Sequence, residues 1–145
     1  MQEHKDIPTL PDTLSGILTL GIEAMQELDR RTYHPDSEIW HIRAVDDKPC
    51  YVCLAGAVMS RYFKPDEMIR AEDVSNQLKR VAFALDALTK GYVVKAANHL
   101  EIEVDPRWEH RMRRFPDYEF FGWEQADRKL EDMRWLRDLL IQEEL

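Results

Sequence analysis

The sequence predicts a mainly α-helical, single-domain fold: a helical bundle of about five helices around a buried central helix at residues about 50–62. Three observations predict it. From Cys50 to Met59 the chain carries no charged residue. Apolar residues recur at three- and four-residue spacing before and after that run, the period of one helix face. The 145 residues are 44% hydrophobic and 33% charged, enough for one core inside a solvated surface.

Taken in order, residues 1–11 read as a loosely packed polar arm holding Pro8 and Pro11. Asp12 or Thr13 then offers a helix cap. Leu14, Ile17, Leu18, Gly21, Ile22, Met25 and Leu28 set the inner face of a first helix running to about Arg31, where Arg30 and Arg31 suit the negative end of its dipole. Residues 32–49 form a connection rich in turn formers, Pro35, Asp36, Ser37, Asp46, Asp47 and Pro49. Its Ile39-Trp40-His41-Ile42 piece is too apolar for a loose loop and is expected to fold back onto the domain.

Pro49 suits the first turn of the central helix, since its missing N–H would have no partner there. A short, fully buried strand is the competing reading of the run, but its length and Ala-Gly-Ala centre favour helix. Cys53, Gly56, Ala57 and Ser60 share a face of small side chains, which predicts the close approach of another helix. A close backbone crossing accounts for Gly56, which costs about 1 kcal/mol against alanine in mid-helix. Ala71 to Lys90 reads as a helix with Val74, Leu78, Val81, Ala82, Leu85 and Leu88 inward, stopped by Gly91. Tyr92 to Leu100 reads as a short helix, although its start, Tyr92-Val93-Val94, fits a strand equally well. Glu101 to Gly122 is irregular, broken by Pro106 and Pro116 and loaded with aromatic residues. Trp123 to Gln142 is the last helix, with Ala126, Leu130, Met133, Leu136, Leu140 and Ile141 inward.

The net charge of −8 disfavours nucleic acid and anionic membranes as partners. No stretch reaches the about 20 apolar residues of a transmembrane helix. Two cysteines and a polar start, Met1 to Asp6, predict a reducing cytoplasm and no secretory leader.

Cys50 and Cys53 form a C-x-x-C motif at the expected start of the central helix, where unpaired N–H groups would favour a thiolate. No βαβ frame accompanies it. The packing reading makes Cys53 a small core residue and Cys50 a capping one. His34, His41, Cys50 and Cys53 could supply zinc ligands, but their spacing matches no common zinc pattern. A Cys50–His41 nucleophile–base pair is a further alternative. Trp40 is expected to be buried, with His41 bonded to backbone. No cofactor and no catalytic residue is assigned. Arg107, Trp108, Arg111, Arg114, Phe115, Tyr118, Phe120 and Phe121 combine the residue types that protein interfaces favour, and residues 107–123 are the expected partner-binding surface.

Trp40-His41 followed by Cys50-Tyr51-Val52-Cys53-Leu54-Ala55-Gly56-Ala57-Val58-Met59 resembles a motif of small bacteriophage-encoded proteins, W-H then C-x-V-C-L-A-G-A-V-M. The resemblance extends loosely over residues 39–100, through Phe83-Ala84-Leu85-Asp86-Ala87-Leu88 and Gly91. It implies a phage accessory protein in the bacterial host cytoplasm. The expected function is protein–protein binding, by analogy inhibition of a host defence or transcription protein. The alternative is a thiol- or zinc-dependent site on His41, Cys50 and Cys53. A homodimer through the last helix is compatible with the sequence.

Overall fold

The computed structural model describes residues 10–145, which are mainly helical with one small sheet. The arm expected over residues 1–11 lies mostly outside the described residues. Its last part is not loose, for Leu10 is only 5% exposed and joins the core. Thr13 caps α1 (Leu14–Gln26), its hydroxyl accepting the Gly16 N–H at 3.0 Å. Leu14, Ile17, Leu18, Ile22 and Met25 are buried, as their spacing predicts. The helix stops a turn short of Arg31, because Asp29 caps the following turn through the Arg31 N–H and the Thr32 hydroxyl.

The chain then enters β1 (Tyr33–Pro35), which pairs in parallel with β2 (Cys50–Val52), Tyr33 opposite Cys50 and Pro35 opposite Val52. The expectation of helix from residue 50 is therefore corrected. The Cys50 N–H donates to the Thr32 carbonyl at 2.8 Å, and Tyr51 exchanges both backbone hydrogen bonds with Ile42 on the other edge. With partners on both sides, the β-favouring Tyr51 and Val52 remain extended, and Pro49 precedes a strand, a position it tolerates. The helix α2 spans only Leu54–Met59, all six residues buried.

Ser75 caps α3 (Asn76–Thr89), preceded by a single 3-10 turn at Ala71–Asp73 where continuous helix was expected. At its end Gly91 takes φ +81°. The Gly91 N–H bonds the Leu88 carbonyl and the Tyr92 N–H the Ala87 carbonyl, closing a Schellman motif. That turn sends α4 (Val93–His99) back against α3. A four-residue α5 (Trp108–Arg111) and the long α6 (Trp123–Gln142) complete the chain. The core lies where α1 packs on α2, α3 and α6, and α2 on α3. In α6 the inward set differs at two positions. Ile141 is 56% exposed, and Lys129 is fully buried, its ammonium donating to the Pro116 carbonyl at 2.8 Å below the rings of Phe115 and Tyr118. No described helix is long and apolar enough to cross a membrane.

Candidate functional site: an acidic cleft beneath Trp40

The W-H loop folds back as its apolar content predicts, and it lies across the start of α2. The Cys53 N–H donates to the Ile39 carbonyl at 2.6 Å. A side chain on Gly56 would overlap the carbonyl oxygen of Trp40 and come within 2.6 Å of the carbonyl carbon. The small face of α2 thus takes the Trp40 loop backbone at Gly56, while α1 and α3 pack on the same short helix. Cys53 is both the core residue expected and the cap of α2, its sulfur accepting the Gly56 N–H at 3.5 Å.

This seating carries the indole of Trp40 to α3. It is half-buried, its edge meets Phe83 at a centroid distance of 5.1 Å, and its Nε1–H donates to Asp86 Oδ2 at 2.6 Å. The Cys53 sulfur lies 4.0 Å from the other carboxylate oxygen. Burial pushes Asp86 up to about 6, against the opposing pull of the Trp40 hydrogen bond and the Lys90 charge. Burial, with the Asp86 charge added, pushes Cys53 up to about 12.

Above Asp86 opens a cleft of about 320 Å³ between the loop at Ser37–Trp40, the end of α3 and the segment Asp117–Glu119. Glu38, Asp117 and Glu119 add three carboxyl groups to its wall, Lys90 a single ammonium, and Trp40 and Tyr118 two aromatic rings. Hydrogen bonding with the Glu38 carboxyl, and its charge, raise Glu119 from its ordinary value. The third wall is fixed by hydrogen bonds between Ser37 and Phe120, by Tyr118 donating to Asp132 at 3.1 Å, and by the Lys129 anchor. Carboxylates and aromatic rings lining one concavity suit an ammonium or guanidinium group.

The sulfur candidates fare differently. His41 Nε2 lies 3.3 Å from Cys50 Sγ, so the imidazole meets the thiol and not the backbone partner expected. Cys50 is no cap: it sits inside β2 with no exposed surface, and desolvation raises its thiol to about 11. Desolvation also lowers His41, so both partners favour their neutral forms. A depressed thiol at a helix start is thus replaced by a raised one in a strand. His34 packs its edge on Tyr51 at 5.2 Å. Among the described residues, no three His, Cys, Asp or Glu side chains gather as a metal site, so the proposed zinc quartet does not converge.

The expected surface at 107–123 is divided. Trp108 (3% exposed) and Phe120 (0%) belong to the core, drawn in because so much aromatic area is cheaper to bury than to hydrate. Phe115 is half-buried against Trp135 and Lys129. Arg111 stacks on Trp108 at 4.1 Å and pairs with Glu143 at 3.0 Å, and Arg107 clamps Asp105. Arg114 and Phe121 point outward, while Tyr118 lines the cleft. Sequence reasoning did not single out Asp86, although a signal existed: one acid inside the otherwise apolar run Phe83–Leu88. Glu38, Asp117 and Glu119 had none, since each reads as an ordinary solvated carboxylate. No protein-family model, curated protein or solved structure matches this chain.

Proposed function

We propose that this chain is a non-enzymatic, phage-type accessory protein of the bacterial cytoplasm. It binds a host or phage protein, such as one of the host defence or transcription machinery, and inhibits it. The cleft beneath Trp40 receives a lysine or arginine side chain of that partner. The observation that carries the reading is the Asp86 carboxylate, anchored by Trp40 at the base of a cleft walled by three more carboxyl groups. A partner's cation gains there both a charge-assisted hydrogen bond and an aromatic face. The helices act as a bundle hung on α2, which keeps the cleft walls preformed and limits the ordering cost of binding. The phage context rests on the resemblance at residues 39–100.

Tagged protein and a Glu38→Gln/Glu119→Gln variant, both changes on exposed carboxylates, are used to capture partners from bacterial lysate. A host protein held by the wild type and lost by the variant is the expected result. Identical capture by both would sink the reading.

The 3.3 Å contact of His41 with Cys50 favours a second reading, thiol chemistry at Cys50. It requires the loop at 39–42 to lift, because the sulfur has no exposed surface. Labelling of the native thiols as fast as those of unfolded protein would favour it. Labelling limited by global unfolding would remove it.

A further inference from the structure

A second concavity of about 200 Å³ adjoins the acidic cleft, lined by Phe83, Asp86, Ala87, Lys90, Tyr92, Lys95 and His99. Asp86 and Lys90 line both. They stand about one helical turn apart, Asp86 within α3 and Lys90 as its C-cap, about 6 Å along the axis. The charge balance shifts across that turn: Glu38, Asp117 and Glu119 line only the first concavity and Lys95 only the second, with Asp86 and Lys90 between them. The shift is built by the fold. The Schellman turn at Gly91 brings α4 back against α3 and so places Lys95 and His99 beside Phe83.

Along one side the rings of Trp40, Phe83 and His99 follow one another, with centroid separations of 5.1 and 5.5 Å. Phe83 is 45% and Tyr92 47% exposed, an apolar rail beside a polar trough. Resting on the binding reading above, we infer that the two concavities are one groove that takes an extended segment of a partner polypeptide, its basic side chain in the acidic end and an acidic side chain a few residues along at the Lys95 end. An extended chain advances about 3.3 Å per residue, so neighbouring lobes fall within a few residues of one another. Opposite charges at the two ends also set the direction in which the segment lies, which a uniformly acidic cleft would not. A nucleic acid strand fits poorly, since its phosphates would meet Glu38, Asp117 and Glu119.

The test is selection of a displayed random-peptide library on the whole protein, on Glu38→Gln/Glu119→Gln and on Lys95→Gln, all exposed positions. On the wild type, peptides carrying a basic and an acidic residue at a fixed separation should be enriched. The basic preference should vanish on the glutamine double variant, and the acidic preference on Lys95→Gln. Enrichment of a basic residue alone, unchanged by Lys95→Gln, would overturn the two-ended groove and leave the cation-binding cleft standing. No enrichment of basic residues on the wild type would overturn both.

Discussion

Trp40 and Asp86, forty-six positions apart in sequence, are joined by an indole-to-carboxylate hydrogen bond of 2.6 Å that ties the W-H loop to α3. Trp40→Phe keeps most of the ring and removes the donor. It should cost about 2–3 kcal/mol, because a desolvated carboxylate loses its charge-assisted partner. Asp86→Asn, which keeps an acceptor, should cost less. The two changes together should cost clearly less than their sum, as expected of side chains in contact. Urea denaturation at pH 7 of the three variants checks this.

The pH dependence of that site has a definite sign. Burial raises Asp86 in the folded state to about 6 from its ordinary 3.8, so between these values the folded chain binds more protons than the unfolded one. Its favourable contribution is fully present below about pH 4 and is lost as pH rises through about 6. The stability of the wild type relative to Asp86→Asn should therefore fall over this window, by up to about 3 kcal/mol, since a tenfold change in proton affinity is worth about 1.4 kcal/mol. Denaturation of both proteins between pH 4 and 7 measures it. A difference that is flat, or that grows with pH, would contradict the desolvated Asp86.

Gly56→Ala tests the loop crossing. Helix propensity alone predicts a gain of about 1 kcal/mol. The added methyl group, however, meets the Trp40 carbonyl, which is backbone and cannot swing away. A net loss of about 2 kcal/mol or more is expected, in the range of overpacked cores. Thermal denaturation decides, and the change should also shift the Trp40 resonance in the indole N–H spectrum.

Trp108 and Phe121 separate core from surface within one aromatic segment. Trp108→Ala should destabilise by about 3–5 kcal/mol, the cost of emptying a buried aromatic site. Phe121, 54% exposed, should tolerate alanine within about 0.5 kcal/mol. Equal effects of the two changes on stability would contradict this division.

The sequence by itself determined the helices whose apolar period is longest. α1, α3 and α6 lie where Leu14, Leu78 and Leu130 and their repeats put them, and α6 matches the expected Trp123–Gln142 at both ends. Their signal is local, since the period and the caps sit within one segment. Tertiary structure alone decided the state of Cys50–Val52, for a short apolar run fits helix or strand until partners such as Thr32 and Ile42 pair with its backbone. It decided likewise which carboxylates meet. Glu38, Asp86 and Glu119 come from three distant stretches, and only the packing of the Trp40 loop over Gly56 gathers them around one concavity. Burial and charge proximity are properties of the assembled chain, which no spacing in the sequence encodes.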